Sequence, residues 1–531
     1  MTERADLVFR NGEVHTLTAD DERAEAVAVR DGEIVRVADD YEVDFLEGVD
    51  TRVVDLDGRV LLPGFVDAHT HMESTGQYLV HADLSGADSR GEALDQLDAR
   101  ARETDDGWVR GYGYDESDWP ESEYLTREEL DTVATDRPVV AYRVDMHTAS
   151  LNAAALDALR GETDAGDVHT ADGRATGVVV EDAVGAVREA TAAGVEETRR
   201  LVEAARDHAH EVAVTGVHDL VRDSHAPRVY RELADRGELN LRVRVNYWSD
   251  HLDAVVETGL RTNGGDTVRV GGIKSFTDGS VGARTAKLFE PYVDADADND
   301  DDATGEWVVE PDELRSVVDR AHGAGLQVCT HAIGDHAIET ALSAYEAATA
   351  DDQVGDRDED GDDTLDGVRD EPRHRIEHVE LATDDQLERM AEAGVVASMQ
   401  PNFLKWADEG GLYDRRLGEE RSRASNRLRD VLDAGVDLAF GSDCMPLDPL
   451  LGVHHAVTAR DRRQRLSVTE ALRAYTHGAA YAGFDEDRLG TVEVGNCADL
   501  VVLQESPWET DAVDEIAVGM TVVDGEVVHE R

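Results

Sequence analysis

Apolar and polar positions along the chain fall into three regimes. From residue 6 to about 58 short apolar runs alternate with turn residues. Leu7-Val8-Phe9-Arg10-Asn11-Gly12-Glu13-Val14 has an Asn-Gly pair between apolar segments, and residues 26–37 have Asp31-Gly32 in the same setting. Such pairs favour tight hairpin turns. The style returns near the end, in 498–503 and in 521–528 around Asp524-Gly525. Short strands at both ends of a long chain predict one composite β-sandwich domain from residues 1–59 and 485–531. Two unrelated β tails are the alternative.

Between these ends the pattern becomes strand, loop and amphipathic helix, repeated. Eight buried strands are predicted, at 60–69, 214–220, 241–247, 268–275, 326–331, 374–379, 395–400 and 436–442, with helices between them such as 310–325 and 383–394. This order predicts an α/β fold, a (β/α)8 TIM barrel over residues 60–484. Residues from about 77 to 200 are too many for a barrel connection. They have strands of their own at 108–114 and 138–144, so an inserted subdomain is expected. Stretches 294–302 and 351–370 are so rich in acid that they read as solvated loops. Neither has the full Asp-x-Asp-x-Asp-Gly…Glu spacing of a calcium loop.

Charge narrows the setting. Among 531 residues, 117 Asp and Glu stand against 52 Lys and Arg, a net charge of −65. Only three lysines occur, Lys274, Lys287 and Lys405. Such a surface repels nucleic acid and anionic membranes. It fits a halophilic cytoplasm, where a Debye length of roughly 3 Å at 1 M salt damps self-repulsion. Three cysteines give no disulfide framework and fit a reducing compartment. The N-terminus lacks the pattern of a signal peptide, and no apolar run reaches the ~18 residues of a membrane span. A cytoplasmic protein acting on a small molecule is expected. Homo-oligomers are common among such barrels, but nothing in the sequence specifies one.

Chemistry gathers at strand ends, where barrels of this kind place their function. The apolar run from Val60 ends in His69-Thr70-His71. Strand side chains alternate, so both imidazoles point to one side and can grip one metal ion. A second His-x-His, His208 and His210, lies in a helical pattern and reads as a solvated helix face. The other strand ends offer Lys274, His331, His378 and Asp443. A bare ammonium is no metal ligand. Lys274 is therefore either paired with Asp278 or carboxylated by CO2, a reaction open to a buried lysine whose lowered pKa frees the neutral amine.

Val66-Asp67-Ala68-His69-Thr70-His71, Lys274, His331, His378 and Gly441-Ser442-Asp443 together resemble the amidohydrolase superfamily. Residues 272–286 and 330–335 resemble the branch that contains N-substituted formamide deformylases. The resemblance implies a centre of one or two divalent ions, usually Zn2+. His69, His71 and Asp443 would hold the more buried ion, His331 and His378 the second, and a CO2-derived carboxylate on Lys274 would bridge them. It implies hydrolysis of a non-peptide C–N bond (amide, formamide or cyclic amide) by metal-activated hydroxide, with Asp443 as the catalytic general acid/base. The alternatives are the same centre acting on esters or phosphotriesters or as a deaminase, and a metal-binding homologue without turnover. A carbohydrate-binding β domain finds no aromatic platform in the termini. Further expectations are His147 and Arg284 as substrate contacts and Asp219 behind the metal ligands. Cys329 and Cys444 read as small packing residues. Trp108, Trp119 and Trp248 read as core rather than pocket lining.

Overall fold

A computed structural model describes residues 4–18, 22–104, 107–120, 122–161, 166–265, 267–295, 303–355 and 372–531. They form two compact units. One comprises Met1–His71, Arg206–Asp223 and Tyr230–Arg531, and the other Met72–Ala205 with Ser224–Val229.

The first unit is built on eight parallel strands: Phe65–Thr70, Val214–Val221, Arg242–Trp248, Val268–Phe276, Gln327–Ala332, Arg375–His378, Val396–Met399 and Leu438–Phe440. They neighbour one another in chain order, as the α/β barrel reading requires. Most of their residues are buried, which is why they read as continuous apolar runs rather than alternating ones. The seam between the eighth strand and the first closes through side chain and loop. Ser442 donates its N–H to both carboxylate oxygens of Asp67 at 3.1 Å, and Asp443 donates its N–H to the His69 carbonyl at 2.8 Å. Gly441 permits that approach: a Cβ there would stand 2.4 Å from the His69 nitrogen.

Local signals place the helices. Thr383 and Gln386 form a reciprocal capping box that starts Asp384–Glu392, and Pro311 opens Pro311–Gly323, where its missing N–H is not needed.

The expected first strand at 60–69 is two strands. The chain breaks at Gly64, where a Cβ would meet Thr215 at 2.2 Å. Val60–Pro63 leaves the barrel and pairs antiparallel with Leu500–Leu503 and parallel with Glu13–His15. The sheet so formed takes strands from both ends of the chain, in the order Glu526–Glu530, Val518–Val523, Leu500–Leu503, Val60–Pro63, Glu13–His15, Arg23–Ala24. A second sheet runs Glu33–Ala38, Ala26–Arg30, Leu7–Arg10, Arg52–Asp55. Leu7, Phe9, Val27, Leu500, Val502 and Met520 belong to the core that the two sheets share. The Asp31-Gly32 hairpin forms, with both residues at positive φ. The expected Asn-Gly hairpin does not. Asn11 turns with φ 56°, but the flanking strands join different sheets, because Gly12 sits against Leu56 and passes the chain across the core.

The acidic stretches also depart from expectation where they are described. Residues 351–355 continue the helix Asp335–Gly355, and 356–370 lie outside the described residues. Asp294 is no solvated loop residue: it accepts from Arg284 at 2.9 and 3.0 Å and also pairs with Arg416. Residues 296–302 lie outside the described residues.

The second unit has a six-stranded mixed sheet, ordered Val168–Ala171, Arg174–Val180, Thr148–Leu151, Val139–Arg143, Val109–Tyr114, Ala82–Asp83. One core gathers Leu84, Leu97, Trp119 and Leu130, and another gathers Tyr112, Tyr142, Leu151 and Val184. Among the described residues no helix is long and apolar enough to cross a membrane.

Candidate metal centre

The ends of five barrel strands converge. His69 and His71 face the same side, as alternation requires, and each presents Nε2 to Asp443 Oδ1, at 3.5 and 3.3 Å. Ligand atoms of these three residues all lie within 4.8 Å of one another. His378 stands beside them, its ring 5.0 Å from that of His69, and the His331 ring is 4.4 Å from that of His378. Phe276, two residues after Lys274, stacks on His331 at 4.5 Å and lies 4.9 Å from Lys274 Nζ. All six expected residues thus share one neighbourhood.

Hydrogen bonds fix the tautomers of the candidate ligand imidazoles. A metal-bound histidine holds its second ring nitrogen by a hydrogen bond, which fixes the tautomer. His69 Nδ1 meets Glu377 Oε2 at 2.6 Å, His71 Nδ1 meets the Leu220 carbonyl at 2.8 Å, and His378 Nδ1 meets Gln400 Oε1 at 2.6 Å. Each leaves Nε2 for a cation. His331 is turned the other way: its Nε2 meets the Gly279 carbonyl at 3.0 Å, which leaves Nδ1. Burial, reinforced by Lys274, pushes His331 down to about 3. Burial and the neighbouring imidazoles push His378 well below its ordinary value. Both rings are therefore neutral at pH 7 with lone pairs exposed. Burial disfavours the charged form of Asp443, but His69 and His71 outweigh it and hold the carboxylate ionised. A donor set of imidazoles and one carboxylate fits a divalent cation.

Lys274 is buried, and its Nζ has no hydrogen-bond partner among the described residues. Burial lowers its pKa. The pairing with Asp278 is absent. That carboxylate instead accepts backbone N–H groups from Lys287, Ile333 and Gly334 at 2.8, 3.1 and 2.8 Å. An unpartnered buried amine, biased toward its neutral form, suits addition to CO2.

Two of the candidate ligands sit on left-handed backbone: His378 has φ 75° and Asp443 φ 53°, followed by Val379 at 51° and Cys444 at 54°. None is glycine, and a β-branched residue in that region is an outlier. Such strain gathers at functional sites.

The remaining candidates divide. Asp219 is buried on the second strand, accepts from Tyr230 at 2.6 Å, and its charge helps to raise the His71 pKa. Arg284 is engaged by Asp294, and His147, in the second unit, is exposed with Nδ1 at 3.3 Å from Glu181. Cys329 is buried with Sγ 3.6 Å from Asn246 Oδ1, and Cys444 is half-buried. Trp119 is core and Trp108 packs on core, while the Trp248 ring lies 4.8 Å from that of Phe276, tilted by 34°, at the barrel end. The His208–His210 reading needs correction. His210 is buried with Nε2 at 2.7 Å from the Asn240 carbonyl, and half-buried His208 faces the Leu447 carbonyl. Both rings turn toward loop carbonyls rather than open solvent, although Asp207 and Glu211 beside them are exposed. Sequence reasoning also passed over Glu377, Arg375 and Gln400, which hydrogen-bond to the candidate ligands or to one another. The visible signal was charge inside a short buried strand, Arg375-Ile376-Glu377-His378.

Comparison with known proteins places the chain in a family. The chain is 28% identical to the N-substituted formamide deformylase of Arthrobacter pascens, with 100% of this chain and 99% of that one covered. An uncharacterized metal-dependent hydrolase from Pyrococcus furiosus superposes with TM-score 0.78 at 30% identity, covering 94% of this chain and 99% of that one. One from Pyrococcus horikoshii superposes with the same TM-score at 28% identity, covering 95% and 98%. Residues 52–529 match the amidohydrolase family, and the chain belongs to it.

Proposed function

We propose that this chain is a cytoplasmic, metal-dependent hydrolase that cleaves a non-peptide C–N bond in a small amide, formamide or cyclic amide. The carrying observation is the cluster of His69, His71 and Asp443 with His378, His331 and Lys274 alongside. The family match and the similarity to a formamide deformylase support the choice of bond.

His69, His71 and Asp443 would hold one ion and His331 and His378 a second, with Lys274, carboxylated by CO2, between them. A divalent ion held there, zinc above all, would supply Lewis-acid chemistry, lowering the pKa of water to about 7 and polarising a carbonyl. Asp443 is ionised at neutral pH, so it can take the proton from the attacking water and return it to the leaving nitrogen. Glu377, Leu220 and Gln400 keep the imidazole rings from turning while this happens. Burial lowers the Lys274 pKa, which favours the neutral amine that adds to CO2.

The test is a substrate panel with zinc or manganese in concentrated salt. It sets amides, formamides and cyclic amides against esters, phosphotriesters and aminated heterocycles. Turnover confined to the first group is expected, and turnover only of the others refutes the choice of bond. Replacing Asp443 with Asn should lower kcat by about 10²–10⁴ while the circular dichroism spectrum stays the same. Activity retained in that variant refutes the role of Asp443.

A further inference from the structure

We infer that Glu377, clamped by Arg375, is the positioning residue that sets the affinity of the His69–His71–Asp443 site for its metal ion. The inference rests on the metal-centre reading above and goes beyond it. Both residues are fully buried. Arg375 grips both carboxylate oxygens, Nε to Oε1 at 2.9 Å and Nη2 to Oε2 at 3.0 Å. The same Oε2 meets His69 Nδ1 at 2.6 Å.

Arg375 is itself anchored. Nη2 donates to the Ala68 carbonyl at 2.6 Å and to Ser398 Oγ at 3.0 Å, and Nη1 meets His218 Nδ1 at 2.9 Å. Ala68 directly precedes His69. The guanidinium therefore ties down the backbone that carries His69, while Glu377 ties down its ring. A planar guanidinium with two parallel bonds to one carboxylate leaves that carboxylate little room to turn.

The partners of the other rings differ in charge. His71 is held by a backbone carbonyl and His378 by a side-chain amide, both neutral. At His69 the Nδ1 hydrogen bond is to a carboxylate. An anionic partner at Nδ1 raises the basicity of Nε2, the atom aimed at Asp443, and loss of such a partner typically weakens metal binding 10- to 100-fold. The pair thus makes the His69 site the tighter of the two and fixes the ring for it.

Metal-free protein is titrated with zinc against a chromophoric chelator, and thermal unfolding of the metal-free form is followed in parallel. Wild type should take up zinc. Glu377→Gln should weaken the tighter site by about 10- to 100-fold. Gln400→Leu, which removes the neutral partner of His378, should spare that site. A merely structural Glu377 would lower the unfolding temperature and leave zinc affinity unchanged, and that result overturns the inference. If Glu377→Gln does not fold, Glu377→Asp reads the same quantity: it keeps the charge but withdraws it from the ring, and unchanged affinity again overturns the inference. Wild type that binds no zinc overturns the metal-centre reading and this inference with it. Wild type that binds while the Glu377 variants bind equally well removes this inference alone.

Discussion

Lys274 gives a prediction whose sign reverses with metal. Its Nζ is buried, without a partner among the described residues, and depressed in pKa by burial. A buried polar group without a hydrogen bond costs about 1–3 kcal/mol relative to a satisfied or apolar one. Methionine has nearly the same length and no polar nitrogen. In metal-free protein Lys274→Met should therefore raise stability by about 1–3 kcal/mol, an increase of a few degrees in unfolding temperature. With zinc the order should invert. Wild type gains RT ln(1 + [L]/Kd), about 2.7 kcal/mol at a hundredfold excess over Kd, for each site it fills. The Met variant cannot bridge two ions and gains less. The assay is thermal unfolding of both proteins after chelation and after zinc loading, at one protein and one salt concentration, with turnover measured alongside. A Met variant less stable than wild type without metal would show that Nζ is satisfied after all. A Met variant as active as wild type with zinc would remove Lys274 from the centre.

Gly441→Ala should damage the seam. The added Cβ would stand 2.4 Å from the His69 nitrogen and 2.6 Å from its Cβ. Backbone must shift, at a cost of about 1–3 kcal/mol for overpacking, and His69 moves away from Asp443. A lower unfolding temperature together with weaker zinc uptake is expected; an unchanged unfolding temperature contradicts the close approach. Salt should stabilise the whole protein. With 117 acids against 52 bases, carboxylates outnumber Lys and Arg by 65. Raising KCl from 0.1 M to 1 M shortens the Debye length from about 10 to about 3 Å, so the unfolding temperature should climb; a flat or falling curve argues against concentrated salt as the native solvent.

The barrel was legible because its strands are buried on both faces. Each appears as an apolar run, and every one of the eight expected ranges overlaps the strand that forms there. What the runs did not reveal was continuity. Val60 to Thr70 reads as one apolar stretch, and only the crowding at Gly64 against Thr215 divides it between two sheets. The Asn11-Gly12 signal was correct about a turn and silent about its destination, since pairing partners are chosen by long-range packing on Leu56. The candidate ligands were found because histidine, lysine and aspartate stand out at strand ends. The residues that orient them did not, because Leu220 contributes only a backbone carbonyl and Gln400 looks like any polar strand terminus.

Glu377 escaped for a deeper reason. Period-two alternation sends neighbouring residues to opposite faces, so a strand that points His378 into the barrel should point Glu377 out of it. Both nevertheless meet the cluster: Glu377 touches His69, and the His378 ring lies 5.0 Å from the His69 ring. The contradiction is resolved by the backbone. At His378 and Val379 φ turns positive, the strand ends abruptly, and the Val379 N–H folds back to the Glu377 carbonyl at 3.1 Å. The same device recurs at Asp443 and Cys444. For an L-residue this conformation costs about 1–2 kcal/mol, and more for β-branched Val379, so it persists only where neighbours dictate it. Here they do: Gln400 holds the His378 ring, the His69 carbonyl takes the Asp443 N–H, and Arg375 fixes Glu377 from below. Two consecutive residues thereby meet one cluster, His378 through its ring and Glu377 through its bond to His69. Regular strand geometry forbids that arrangement, and no count of hydrophobic periods could have disclosed it.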